Sequence, residues 1–203
     1  MTSHAAPIQQ ATQPQPSSPG AQLPSLSPDI RLYGNVNEHM LGEFFRQQSE
    51  ASLAKPLVLE LSTSGGDADI GRRIALEVRL WREKSGRDVY FLGKSFVYSA
   101  GVTIMSGFPV NRRFITADTL LLIHERKMKK TVEFNGALRG CLSLANDLIA
   151  QIESGQMLER QGFEQLVEGT QLTVDDVLTH VLNKDWYLTA DEALAVDLVG
   201  GIV

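Results

Sequence analysis

From residue 29 onward, apolar positions recur in two alternating rhythms. "DIRLYG" has the alternation of a short strand, and "NEHMLGEFFRQQSEAS" places Met40, Leu41, Phe44 and Phe45 at helical spacing. "PLVLELST" is a continuous apolar run led by Pro56, the pattern of a strand buried on both faces, and it gives way to "SGGD". "IGRRIALEVRLWREKSG" repeats Ile74, Val78 and Trp81 at helical intervals and stops at Gly86. "DVYFLG" predicts another strand. "SFVYSAGVTIM" then carries the chain into a small-residue helix that runs to Gly107, and "RRFIT" and "TLLLIH" predict two strands around a turn at Ala117 and Asp118.

Beyond His124 the character changes. "ERKMKK" is a charge run that reads as a solvated loop or edge, and a long helix over 137–153 follows, with Leu138, Leu142, Ala145, Leu148 or Ile149, and Ile152 on one face. Two later helices are announced by capping-box spacing, Thr173 with Asp176 and Thr189 with Glu192. Between them lies "NKDWYL", and the chain closes on "VDLVGGIV". Strands alternating with helices imply an α/β domain with a largely parallel sheet and right-handed crossovers. Such sheets gather ligands and chemistry at the C-terminal ends of their strands, where "SGGD", "YSAG" and "IHE" all fall.

Composition narrows this picture. The first 28 residues, rich in Pro, Ser and Gln, lack the basic start and apolar segment of a secretory signal and predict a disordered tail, so the domain is placed at 29–203. The balance of 19 basic against 24 acidic residues leaves a net charge of −5, which argues against nucleic acid as a partner. No run of 18 apolar residues predicts a membrane span. A single cysteine, Cys141, rules out an intrachain disulfide, suits a reducing, cytoplasmic compartment, and sits at apolar spacing that predicts a buried, inert thiol.

Ser99 is open to three readings: a helix cap, a packed core serine, or a nucleophile. A serine hydroxyl attacks only when a base takes its proton, and histidine is suited to that near neutral pH. His124 ends the apolar run "LLLI", an awkward place for an imidazole unless it faces a site or a partner. Gly65 and Gly66 after a buried strand, and Ala100 at the start of a helix, offer backbone N–H groups to a developing oxyanion. Asp185 lies in a turn between two helices. Taken singly, each feature is ordinary turn or packing chemistry.

Taken together and in order, these residues resemble the proteolytic subunit of the Clp protease, within the crotonase-like fold. "LELSTSGGD" is similar to that family's strand with its Ser-Pro-Gly-Gly segment, and "YSAGVTIMSG" to its nucleophile segment. "RRFITADTLLLIH" is similar to its strand pair ending in the catalytic histidine, and "NKDWYLTADEALAVDLVGGIV" to its close. The resemblance spans about 29–203 and implies a ClpP/crotonase-like β-β-α superhelix. It implies Ser99 as nucleophile, His124 as general base, Asp185 as orienting carboxylate, and an oxyanion hole from the backbone of Gly65, Gly66 and Ala100, with no metal or cofactor. It further implies peptide or unfolded-protein substrates and a homo-oligomer, a heptameric ring in the family, that encloses a chamber.

The chain also departs from the family. Ser64 stands where the family has Pro, and Phe96, Val97 and Tyr98 replace small residues, so that Tyr98 narrows the expected substrate groove. "ERKMKKTVEFNG" replaces a glycine-rich segment, and about a dozen extra residues separate His124 from Asp185. These departures weaken the expectation of ring stacking and of an AAA+ ATPase partner. Ser95 and His180 are the competing hydroxyl and imidazole; Ser95 lies too early, and the helical setting of His180 reads as surface or packing. Two other classes stand beside the peptidase: a non-catalytic assembly subunit of the same fold, and a crotonase-like acyl-CoA enzyme.

Overall fold

The computed structural model describes residues 22–52 and 56–203; residues 1–21 and 53–55, and with them most of the expected tail, lie outside the described residues. The elements alternate as expected: β1 (Ile30–Tyr33), α1 (Glu38–Glu50), β2 (Leu57–Thr63), α2 (Ala68–Ser85), β3 (Val89–Tyr98), α3 (Ala100–Met105), β4 (Arg113–Ile115), β5 (Leu120–Ile123), α4 (Leu138–Val167), α5 (Val174–Val181), β6 (Trp186–Leu188), α6 (Ala190–Ala195) and β7 (Gly201–Ile202). Local chemistry sets many of the ends. Asn37 and Asp67 accept backbone N–H groups at the starts of α1 and α2, and Gly86 ends α2 at φ 64°. Both capping boxes, Thr173 with Asp176 and Thr189 with Glu192, are formed.

Strands β1-β2-β3-β4-β7 form a parallel sheet, and β5 adds to β3 in parallel and to β6 antiparallel. This is the mostly parallel α/β architecture the pattern predicts. The apolar face of the sheet packs with α1, α2 and α3 in one large core, in which Met40, Phe44, Ile74, Val78 and Ile104 are buried. On the other face, Leu23 packs against Val58, Tyr90, Leu92 and Phe114.

β3 is longer than "DVYFLG" predicts because it exchanges neighbours midway. Phe91, Leu92 and Gly93 pair with β4, whereas Phe96, Val97 and Tyr98 pair with β5. Between these halves β2 advances from Leu61 to Thr63 while β3 advances from Gly93 to Val97, a bulge centred on Ser95, whose φ is 59°. Thr116 N–H and the buried Thr119 hydroxyl both donate to Gly93 O, at 3.0 and 3.1 Å, and close the fork.

Three expectations are corrected. α4 does not end near 153 but runs thirty residues to Val167, and its expected apolar face is not packed: Leu138 is 86% and Leu142 62% exposed, with Ile149 and Ile152 also exposed. A helix of this length, about 45 Å, outruns the domain, and only Phe163 and Leu166 near its end are buried. Cys141 is half-exposed on the first turn of α4 rather than buried, its Sγ 3.9 Å from Gly136 O. "NKDWYL" contains a strand, β6, whose pairing partner β5 is 63 residues earlier by the Ile123–Trp186 register.

Arg113 is 1% exposed and has no carboxylate within ion-pair distance among the described residues. Its guanidinium donates to Phe108 O (2.8 Å), Leu166 O (2.9 Å) and Leu198 O (3.3 Å), carbonyls that follow α3, close α4 and follow α6. Burial pushes its pKa down to about 10. In Arg113→Met these carbonyls lose their donor. Urea unfolding is expected to show a loss of about 2–4 kcal/mol, whereas a change below about 0.5 kcal/mol would show that they are satisfied another way.

Candidate functional site

The end of β3 bears on two of the readings of Ser99, the cap and the packed core. Ser99 occupies the position before α3 but caps nothing: its side chain makes no capping hydrogen bond. Its backbone lies at φ 54°, ψ −114°, a region that a residue with a Cβ occupies at a cost of about 1–3 kcal/mol. Surrounding bonds hold it there. Ser99 N–H donates to Leu122 O (2.8 Å), and Ser99 O accepts from the N–H groups of Val102 (2.9 Å) and Thr103 (3.3 Å). The hydroxyl is half-buried and has no hydrogen-bond partner among the described residues. Neither the cap nor the packed core reading fits it. Ser95 sits in the exposed bulge, away from this turn.

The glycine turn is pressed against Ser99. A Cβ on Gly65 (φ 98°) would lie 2.8 Å from Ser99 Cβ, and one on Gly66 (φ 147°) would lie 2.3 Å from Val36 O. Buried Thr63 organises the turn: its hydroxyl donates to Gly34 O (2.5 Å) and accepts from Gly65 N–H (3.0 Å). Val36 N–H donates to Gly65 O, and Asp67 N–H to Val36 O. The Gly65 N–H is therefore engaged, while those of Gly66 and Ala100 donate to no group among the described residues.

His124 follows directly on β5, half-buried, with Nδ1 2.5 Å from Glu125 O. A carbonyl only accepts, so the proton is on Nδ1 and Nε2 is the basic nitrogen. Ser99 and His124 line one cavity of about 80 Å³ with Ala68, Val102, Ile123 and Phe163. The segment after His124 borders this cavity through Arg126, and part of it is not the solvated loop its charge predicts. Arg126 makes a two-pronged contact with Asp69 at 3.1 and 2.6 Å, and its N–H donates to Glu159 Oε2 on α4. The Arg126 guanidinium holds the Asp69 carboxyl below the usual carboxylate range. Lys127 to Lys130 are exposed, as expected.

Asp185 is not brought onto His124. It is exposed, and Oδ1 pairs with Lys127 Nζ at 3.2 Å across a second, larger cavity of about 940 Å³ that His124 also lines. The turn that carries it is tied down by Glu125, whose carboxylate accepts from Asn183 N–H at 3.0 Å. Glu125, Lys127 and Thr63 are the contributors that sequence reasoning missed. Only the charge of "ERKMKK" signalled the first two, and nothing in the pattern placed them opposite a segment 58 residues away. Tyr98 packs against Phe96 and edge-on to Tyr187, at centroid distances of 5.5 and 6.0 Å, directly before Ser99. His180 stacks on Trp186 at 4.3 Å with Nδ1 2.8 Å from Asp176 O, a packing role as expected. Among the described residues there is no cluster of side chains fit to hold a metal ion.

No family model matches the chain. Curated proteins do. The ATP-dependent Clp protease proteolytic subunit 2 of Treponema pallidum is 24% identical over 177 residues, covering 86% of this chain and 81% of the relative. Proteolytic subunit 3 of Rhizobium etli is 24% identical over 179 residues, 87% of this chain and 84% of its own length. Among solved structures, a mutant of ClpP1 from Listeria monocytogenes superposes with a TM-score of 0.67 at 17% identity, covering 86% of this chain and 90% of that one. The fold is thus the ClpP/crotonase-like one expected from the motifs, and the likeness in sequence extends over most of the chain.

The Arg126–Asp69 contact seats the segment after His124. Because the Asp69 carboxyl titrates lower in the folded protein, the contact is complete above the ordinary carboxylate pKa and is lost as pH falls below about 4. Amide-exchange protection over 125–130 is expected to drop in that range in the native protein, and already at neutral pH in Asp69→Asn. Equal protection in both proteins at neutral pH would show that the segment is seated by other contacts.

Proposed function

We propose that this chain, ClpP-like in sequence and fold, is a serine peptidase that hydrolyses peptide or unfolded-protein substrates with Ser99 as nucleophile and His124 as general base. One observation carries the reading: Ser99 is held at φ 54° with a hydroxyl that caps nothing, and it lines one cavity together with His124. Strain kept at a turn by surrounding hydrogen bonds is characteristic of residues placed for chemistry.

In this reading Ser99 Oγ attacks the substrate carbonyl carbon as His124 Nε2 takes its proton, and the imidazolium then returns the proton to the leaving amine. Negative charge collects on the carbonyl oxygen. The N–H groups of Gly66 and Ala100 receive it, and Gly65, its own N–H on Thr63, shapes the turn. Ile123, Val102 and Phe163 give the adjoining cavity an apolar wall for a substrate side chain. Asp185 acts as orienting carboxylate when it leaves Lys127 for His124. The exposed apolar positions of α4, from Leu138 to Ile152, with Phe45 on α1, serve self-association into a closed homo-oligomer. The second reading, a non-catalytic assembly subunit, is favoured by the pairing of Asp185 with Lys127 in place of His124.

Incubation with a fluorophosphonate is expected to label Ser99 covalently. Ser99→Ala should reduce peptide-ester hydrolysis to background while lowering stability by less than about 1 kcal/mol, since no cap is lost. Asp185→Asn should lower turnover by roughly 10²- to 10⁴-fold, because an amide does not stabilise the imidazolium and favours the wrong tautomer. Asp191→Asn, in the first turn of α6, should change little. A native protein that takes up no label while remaining assembled would establish the assembly-subunit reading instead. Sedimentation at micromolar concentration should show a species larger than the monomer; a monomer would remove the chamber.

A further inference from the structure

Two polar groups that a serine–histidine–aspartate site requires to face each other are each held by something else. His124 Nδ1 is bonded to Glu125 O at 2.5 Å, and Asp185 Oδ1 is paired with Lys127 Nζ at 3.2 Å. Both contacts come from the short segment that follows His124, and His124, Lys127 and Asp185 line the same cavity. We infer that Lys127 is a positioning residue that competes with His124 for the carboxylate of Asp185, and so sets the fraction of molecules in which the site is complete. This inference rests on the peptidase reading above.

The magnitudes suit a competition rather than a permanent block. The Lys127 side chain is 69% exposed and that of Asp185 40%, so the pair is hydrated and weak. An ion pair between exposed side chains is screened by salt over about 10 Å at 0.1 M. The charge-assisted bond that Asp185 would make to a half-buried Nδ1–H is the stronger partner once the Glu125 carbonyl is vacated. The turn bearing Asp185 is anchored by the Glu125 carboxylate at Asn183 N–H, a contact independent of Lys127. A lysine three residues past the base is thus placed to choose between two arrangements of one carboxylate.

The test uses the full chain and an uncharged fluorophosphonate, following the rate at which Ser99 is labelled. Lys127→Met is expected to label roughly two- to fivefold faster than the native protein at low salt, the range that an exposed ion pair controls. The native rate should rise with ionic strength toward that of Lys127→Met, whose own rate stays flat. Lys127→Arg, which keeps the charge, should restore the native rate and its salt dependence. In the Asp185→Asn background, Lys127→Met should give no gain. Equal native and Lys127→Met rates at low salt would overturn the inference while leaving the peptidase reading intact. A gain that persists in Asp185→Asn would also overturn it, by showing that Lys127 acts elsewhere. Absence of labelling in every variant would remove the peptidase reading and this inference with it.

Discussion

The geometry of the site depends on the change of neighbours along β3. A strand that kept β4 beside it would carry Ser99 to an edge with no histidine. By bulging at Ser95 and taking β5 as its partner, β3 aligns Tyr98 with Leu122, so that Ser99, just past the end of β3, and His124, just past the end of β5, emerge at the same end of the two parallel strands. The Ser99 N–H to Leu122 O bond is the last rung of that ladder and also the bond that holds the serine in its strained conformation. Register, strain and proximity are here one constraint. The glycine turn joins it because β2 pairs with β3 across the same bulge and ends at Thr63, beside Val97.

The opposite end of the structure is closed by a buried cation. Taking a guanidinium out of water is unfavourable, and Arg113 offsets this by gathering carbonyls from three chain segments, Phe108 beyond α3, Leu166 in the last turn of α4 and Leu198 beyond α6. One of them belongs to Leu166, whose side chain lines the cavity beside Ser99. The same residue therefore ties the wall of the site to β4 and to the C-terminal strand β7, which lies parallel to it and is joined to it by the Gly200 N–H to Arg113 O bond.

Elements specified by local chemistry were legible from the residues alone. Gly86 as a helix stop, the capping boxes of Thr173 and Thr189, and the two-sided burial of "PLVLELST" need only neighbours a few positions away. What escaped was non-local. The strand extension through Ser95 exists because β5 lies alongside, β6 because β5 has a free edge, and the burial of Arg113 because three chain segments meet around it. In the site, the order of the motifs and their resemblance to Clp subunits pointed to Ser99 and His124, which share a cavity. The position of Asp185 did not follow, because its partner depends on a charge run that reads as mere solvation until the fold brings Lys127 opposite it. The apolar face of α4 misled for a related reason: helical periodicity reports that a face is apolar, not that this chain is what covers it.

The length of α4 has a mechanical consequence. Phe163 and Leu166 clamp its C-terminal end in the core, while Leu138 stands about 37 Å farther along the same uninterrupted rod, at 1.5 Å per residue. The helix is thus a lever with its fulcrum beside the Ser99 cavity. A tilt of about 5° about that fulcrum displaces the tip by about 3 Å, yet it moves the cavity wall by only a few tenths of an ångström. Displacements at the outer, apolar end are therefore geared down into fine adjustments of the wall around Ser99.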